Sequence, residues 1–288
     1  MTATPLLRSF LYVPGDRAER VAKALAAGAD AILIDLEDSV ALSVKTAARD
    51  GAVDGLRGRT VDSPQVWVRI NSGEIGLLDA AALATEAVHL GGLVLAKCDD
   101  LDWLDEIASM LPSWVALAPL IESARGLRRL DALCAHPRVV QCHLGEIDLL
   151  ADVGAHSGAG PLLLGHARAE LLYASAAAGI LPPIGGVYAD FRDLDGFAAD
   201  SALMAQLGFA GRPAIHPSQV PVINESFRPS ADELATAAAL VASYDDALAR
   251  GQGALTDEQG RMVDEAVVRR ARQMLASQAT RGRTTGER

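Results

Sequence analysis

Val115-Ala116-Leu117-Ala118-Pro119-Leu120-Ile121 is an apolar run that stops at Glu122, and Ser123-Ala124-Arg125-Gly126 then turns the chain. A second run, Val139-Val140-Gln141-Cys142-His143-Leu144, stops at Gly145-Glu146-Ile147-Asp148. Parallel α/β proteins build their sites in this way, from buried strands that each close on an acid before a helix-like segment. Two carboxylates at such strand ends offer oxygen-only ligands, which suit Mg²⁺. Either acid alone is better read as a helix cap or first-turn residue. The pair together favours the metal slightly over two caps.

Outward from this stretch, strand-like runs alternate with Ala-rich amphipathic segments from Phe10 to Pro217. The apolar runs predict strands over 10–13, 31–34, 66–71, 93–97, 115–121, 139–144, 184–188 and 213–215, the seventh weakened by glycine. Helical spacing predicts helices over 17–27, 43–56, 77–90, 101–110, 161–178 and 194–207. Eight near-continuous apolar strands with interposed helices imply an α/β protein of the (β/α)₈ TIM-barrel type with a C-terminal helical extension. The rival, an open doubly wound sheet, calls for G-x-G-x-x-G after the first strand, and Pro14-Gly15-Asp16-Arg17 is not that. Residues 1–228 then form a catalytic barrel and 229–278 a helical extension. In the extension, Ser230 and Glu233 make a capping box for a helix to 250, Gly251-Gln252-Gly253 breaks the chain, and a last helix covers 263–277. Residues 279–288 read as a disordered tail.

The 288 residues are 50% hydrophobic and 22% charged, a globular balance. The 26 basic and 37 acidic residues give a net charge of −11, which argues against a nucleic-acid surface. An anionic substrate must therefore be met by local arginines, a cation or helix N-termini. Cys98, Cys134 and Cys142 sit in or beside apolar runs and read as reduced, core-packed thiols. With no secretory leader pattern and no apolar run long enough for a bilayer, the expectation is a soluble, cytoplasmic protein with no membrane partner.

The strand ends crowd acids onto one face: Asp35-Leu36-Glu37-Asp38, Glu122 and Asp148, with Arg69, Lys97 and His216 among them. Like charges so close raise one another's pKa unless a cation or substrate neutralises them. A divalent ion between Glu122 and Asp148 would do so and leave positions open for water and a substrate oxygen. Arg69 is either an anion clamp or the ion-pair partner of Asp35 or Glu37. Lys97 could form a Schiff base, but a metal makes that redundant, and an ion-pairing role is preferred. His216 reads as a hydrogen-bonding loop anchor. Cys142 and His143, being adjacent on a strand, face opposite ways and cannot act as a nucleophile–base pair.

The ordered motifs resemble the citrate lyase β-subunit-like (CitE-like) branch of the HpcH/HpaI aldolase superfamily, from about residue 8 to 275. They are Arg8-Ser9-Phe10-Leu11-Tyr12-Val13-Pro14-Gly15-Asp16-Arg17, Asp35-Leu36-Glu37-Asp38, Val68-Arg69-Ile70-Asn71, Pro119-Leu120-Ile121-Glu122, Gly145 with Asp148-Leu149, Gly186-Val187-Tyr188 and Ala214-Ile215-His216-Pro217. The resemblance implies a Mg²⁺-dependent carbon–carbon lyase. Its substrate would be a 3-hydroxyacyl-CoA such as citramalyl-CoA, malyl-CoA or a citryl thioester, split into a keto acid and an acetyl-thioester. By the same resemblance Glu122 and Asp148 hold Mg²⁺, Arg69 binds the keto-acid carboxylate, and Asp35 and Glu37 order Arg69. Coenzyme A would lie near Pro14, Gly15, Asp16 and Arg17 and the turn Ile215-His216-Pro217. The segment Gly260-Arg261-Met262-Val263-Asp264 resembles a motif whose Asp enters a neighbouring subunit's site, making Asp264 the acid/base candidate and the protein a homo-oligomer, with a trimer favoured. Two departures bear on substrate choice. The family's Gly-Ala-Glu-Asp reads Gly145-Glu146-Ile147-Asp148 here, and the Asp usual before Gly-Val-Tyr is Gly185. Arg212 stands where Lys is frequent. An acyl-CoA thioesterase on the same scaffold, or a β subunit active only in a complex, are the alternatives.

Overall fold

The computed structural model describes residues 6–57, 64–156, 160–257 and 259–286. They fall into two compact units, Leu7–Phe227 and a second that begins at Arg228.

The first unit is a parallel α/β fold. Its strands are β1 (Ser9–Pro14), β2 (Ala31–Asp35), β3 (Gln65–Ile70), β4 (Gly92–Leu95), β5 (Ala116–Ile121), β6 (His143–Leu144) and β7 (Arg212–Ala214). The helices α1 (Ala18–Leu25), α2 (Lys45–Leu56), α3 (Gly73–Ala84) and α4 (Leu101–Met110) follow the first four strands. Short helices α5 (Ala124–Leu127), α6 (Leu130–Cys134) and α7 (Glu146–Asp152) come next, then α8 (Gly160–Ala178), α9 (Leu194–Leu207) and α10 (Gln219–Ser226). All strand pairings are parallel, in the order β6-β5-β4-β3-β2-β1-β7.

The expected seventh strand over 184–188 shrinks to one bridging residue. Ile184 bridges His143 on one side and Gly211 on the other. Pro182 and Pro183 before it cannot donate to a ladder, and Gly185 and Gly186 after it supply no side chains to pack, so the strand extends in neither direction. The sixth strand is likewise shorter than expected, with Val139 making only an isolated bridge to Leu117.

Register sets the positions of the functional groups. Asp35 pairs with Arg69, Ile70 with Leu95, Leu95 with Pro119, and Ile121 with Leu144. The carboxyl ends are therefore level, and Lys97, Glu122 and Gly145 follow within two residues of their strands. Below them the strands enclose Phe10, Trp67 and His143, with ring centroids of 5.6 Å for Phe10–Trp67 and 5.1 Å for Phe10–His143. Space there is short: a Cβ on Gly92 would lie 2.5 Å from the Trp67 ring. Gly211 likewise lets β7 approach β1, since a Cβ there would meet the Arg8 carbonyl at 2.0 Å.

The second unit pairs α11 (Ala231–Ala249) with α12 (Glu265–Gly286), joined through a two-stranded antiparallel hairpin of β8 (Leu255–Thr256) and β9 (Met262–Val263). Ser230 and Glu233 form the expected capping box. Tyr244, Val263 and Val268 make a small apolar core. Helix α12 continues to Gly286, across most of the stretch expected to be a disordered tail. Ala279, Arg281 and Arg283 favour helix there, against Gly282 and three threonines, and no proline interrupts the stretch. Residues 287 and 288 of that expected tail lie outside the described residues.

Candidate active site

The site begins with a nearly buried arginine. Arg69 lies on β3 between buried neighbours, and its register partner on β2 is Asp35. The guanidinium donates from Nε to Asp35 Oδ1 at 2.6 Å and from Nη2 to Oδ2 at 2.7 Å, a two-pronged pairing. Its remaining nitrogen, Nη1, lies 3.2 Å from Glu37 Oε2. The Tyr12 ring covers one face of the guanidinium, with Cζ 5.0 Å from the centroid. Asp35 also accepts backbone N–H groups from Glu37 and Ser39. Burial pushes the Asp35 carboxyl up, but the hydrogen bonds and charge of Arg69 outweigh it and hold it below the usual carboxylate range.

Lys97 links this pair to Glu122. Its ammonium contacts Glu37 Oε1 and, at 3.4 Å, Asp38 Oδ1. Burial alone would lower its pKa, yet the Glu37 hydrogen bond and the surrounding acids raise it, so the amine stays charged. A charged, ion-paired amine matches the ion-pairing role preferred from the sequence over a Schiff-base role. The Lys97 backbone N–H donates to Glu122 Oε1 at 2.7 Å.

Glu122 is 3% exposed, and its second oxygen, Oε2, is buried without a hydrogen-bond partner among the described residues. Burial raises the carboxyl to about 7, with the Lys97 N–H and Arg69 opposing and the charges of Glu37 and Asp148 adding to it. Gly145 gives Glu122 its room, since a Cβ there would lie 2.5 Å from the Glu122 Cβ. Asp148, half-buried in the first turn of α7, is close enough to act electrostatically on Glu122. An orphaned carboxylate oxygen beside a second carboxylate is what a hard cation would satisfy. Among the described residues no three His, Cys, Asp or Glu side chains converge into a complete cage. The donor set therefore fits a hard cation that keeps positions open for water or substrate.

The two departures from the resembled pattern have a physical outcome. Glu146 turns inward, where Arg168 on α8 grips it through two hydrogen bonds of 2.6 and 2.9 Å. A Cβ on Gly186 would lie 2.7 Å from the Glu146 Cγ, so the glycine admits this carboxylate. Ile147 points out and is 53% exposed. Next to Gly185, Met204 Sδ sits 3.2 Å from where a Cβ would be. Arg212, fully buried, donates to the Gly186 carbonyl at 2.8 Å from Nη2 and to Asp200 Oδ2 at 2.8 Å from Nη1.

The two predicted coenzyme A turns leave from adjacent strand ends, because β1 pairs with β7 and Leu11 faces Ala214. Gly15 donates its N–H to the Asp35 carbonyl at 2.8 Å, and Gly15, Asp16, Arg17, Val44, Ala47 and Gly51 line a cavity of about 370 Å³. In the second turn, Gln219 Oε1 accepts the N–H groups of Ile215 and His216, while His216 Nδ1 pairs with Ser218 Oγ at 2.8 Å and its ring stacks on Phe191. Asp264 belongs to the second unit, where its carboxylate accepts the N–H groups of Ala266 and Val267 at the start of α12. It is a helix cap within its own unit.

Two contributors escape a reading of the sequence, and a third shows only in part. Tyr12 shares the inward face of β1 with Phe10, and strand periodicity could have flagged it. Arg168 carries no signal beyond its charge on a long helix. Lys97 was visible as a strand-end amine, but its backbone role was not.

A family model for HpcH/HpaI aldolase/citrate lyase matches residues 8–217. The chain is 32% identical to a (3S)-malyl-CoA thioesterase of Cereibacter sphaeroides, over 93% of each chain. It is 31% identical to the mitochondrial citramalyl-CoA lyase of Homo sapiens, over 92% of this chain and 83% of that one. Among solved structures, protein CitE from Mycobacterium tuberculosis in complex with magnesium, acetoacetate and coenzyme A superposes with a TM-score of 0.80 at 31% identity, covering 97% of this chain and 100% of that one. With the motif positions level at the strand ends and matches of this length, the chain belongs to the HpcH/HpaI aldolase/citrate lyase family.

Proposed function

We propose that this protein is a Mg²⁺-dependent carbon–carbon lyase that cleaves or forms a 3-hydroxyacyl-CoA, releasing a keto acid and an acetyl-thioester. The observation that carries the reading is the buried, partnerless Glu122 Oε2 beside Asp148, one residue away through Lys97 from the Arg69–Asp35–Glu37 group. The magnesium, acetoacetate and coenzyme A named with the CitE structure, and the substrate named for the human lyase, support it.

Glu122 and Asp148 would hold the ion. When bound, Mg²⁺ supplies a Lewis acid for the negative charge that develops on substrate oxygen. Arg69 binds the keto-acid carboxylate; its plane is fixed by Asp35 and covered by Tyr12, so little ordering remains to be done on binding. Glu37 and Lys97 hold the open side of the guanidinium. Cleavage takes the proton from the β-hydroxyl and returns one to the thioester α-carbon, which calls for an acid/base group. We assign that proton transfer to Asp264 of a neighbouring copy in a homo-oligomer, a trimer by family resemblance. The acyl-CoA lies along the Gly15–Arg17 cavity and the Ile215-His216-Pro217 turn.

The fold proposed with this function is a (β/α)₈ barrel in which Ile184 alone stands for one strand; its bridges to His143 and Gly211 support closure between β6 and β7. Residues 1–228 are the catalytic barrel, and the extension from 229 to 278 completes a neighbour's site. A cytoplasmic setting suits three buried free cysteines. Among the described residues no helix is long and apolar enough to cross a membrane.

Thioester hydrolysis is the second reading, favoured by the thioesterase named among the relatives. Citramalyl-CoA and malyl-CoA, each given with Mg²⁺, separate the two. A lyase releases keto acid with no free thiol. Free thiol without keto acid would establish hydrolysis instead, and activity only on adding partner subunits would make the chain a component of a complex.

A further inference from the structure

Lys97 is the only non-glycine residue with positive φ among the described residues, at +50°. Lysine gains nothing locally from that conformation, because its Cβ crowds the following carbonyl. Nor is this a loose loop, since Ala96 and Cys98 on either side are buried. Non-glycine residues persist in the left-handed region where their surroundings over-determine them, and such positions cluster at functional sites.

Two contacts hold Lys97 there, and they point in different directions. Its N–H leaves the β4 ladder and reaches Glu122 Oε1 at 2.7 Å. Its ammonium is held by Glu37 and Asp38. A carboxylate with one oxygen fixed by a backbone donor has its other oxygen fixed in direction too, and that other oxygen is the buried Oε2 without a partner. Glu37 continues from the ammonium to Arg69. One residue in a strained conformation thus joins the cation carboxylate to the substrate clamp.

We propose that Lys97 is the positioning residue of this site: its left-handed backbone aims the N–H at Glu122 so that Oε2 faces the cation, and its ammonium, anchored on Glu37 and Asp38, holds that backbone in place. The inference rests on reading Glu122 as a cation ligand. It gives the lysine a role set by geometry rather than by charge, and the two can be separated. Glycine adopts φ +50° at no cost and keeps the N–H, so Lys97→Gly preserves the aim while removing the charge. Methionine and alanine also remove the charge, but they have no anchor and relax out of the left-handed region, withdrawing the N–H.

The test is a calorimetric titration of Mn²⁺ into the full-length protein without substrate, for wild type, Lys97→Gly, Lys97→Met and Lys97→Ala. Thermal unfolding shows which variants are folded, and either Met or Ala serves for the comparison. We expect Lys97→Gly to bind Mn²⁺ within about twofold of wild type. Lys97→Met and Lys97→Ala should bind it roughly fivefold or more weakly. A charge effect alone predicts that all three variants bind alike, as tightly as wild type or more so, because each loses a positive charge near the cation. That result would overturn the positioning role and leave the metal site standing. A wild-type chain that binds no Mn²⁺ would overturn the metal reading itself.

Discussion

Arg69 and Asp35 show how a single residue pair can be both scaffold and tool. Both are nearly buried, and each is tolerable inside the sheet only because the other is there. The same pairing leaves the guanidinium rigid, with one nitrogen turned to Glu37. Removing one partner strands the other. Asp35→Asn should therefore cost about 3 kcal/mol or more in urea unfolding, because Arg69 would be left buried without its counter-charge. A loss within about 0.5 kcal/mol would mean that Glu37 alone suffices. Residue identity showed the acids and bases of the site, since a charge that closes an apolar run either caps the next helix or faces a ligand. The Lys97 conformation was hidden for a specific reason: Gly or Asn announces a left-handed turn, and lysine does not. The shifted acid at Glu146 was visible in the sequence, but its direction was not. One position along a helix turns a side chain by about 100°, and the arginine waiting for Glu146 on α8 could not be seen.

At the scale of elements, β1 to β5 were legible because each is built on a run of apolar residues buried on both faces, with polar residues mainly at the ends and Arg69 near the end of β3. The bridge at Ile184 was less so, because prolines and glycines flank it on both sides, and β6 is shorter than the apolar run that announced it. Strand β6 also carries His143, an imidazole enclosed in the interior. His143 is buried against Phe10 and Trp67, neither ring nitrogen has a partner among the described residues, and burial lowers its pKa from 6.5 to about 3. In the unfolded chain this histidine takes up a proton below pH 6.5, and in the native chain it does not until about pH 3. The unfolded state thus binds more protons across that window, so stability falls as pH falls from 6.5 towards 3, by at most about 1.4 kcal/mol per pH unit from this group. Replacing it with a residue that does not titrate should flatten the profile in that window. We expect His143→Gln to show a smaller loss of unfolding free energy between pH 7 and pH 5 than wild type; an equal loss would assign the acid sensitivity to the carboxylates.

For the whole molecule, the decisive question is how chemistry is divided between the two units. The first unit contains the proposed cation site and anion clamp, and none of the described groups there is an obvious mobile acid. The second unit contains Asp264, which on its own merely caps α12. Assigning it the proton transfer makes the active site a property of the assembly, and it gives a helical extension a purpose beside a fold that already has its core. The two acids should then fail differently when removed. Asp264→Ala should bind Mn²⁺ as wild type does and lose turnover, whereas Asp148→Ala should lose both. Keto-acid release from citramalyl-CoA is the measurement that matters most, taken for wild type and Asp148→Ala across a Mg²⁺ titration and after chelation. A cation held by Glu122 and Asp148 predicts release by wild type that chelation stops and Mg²⁺ restores, with none from Asp148→Ala at any Mg²⁺ concentration. Release that survives chelation, or that Asp148→Ala retains, would contradict it.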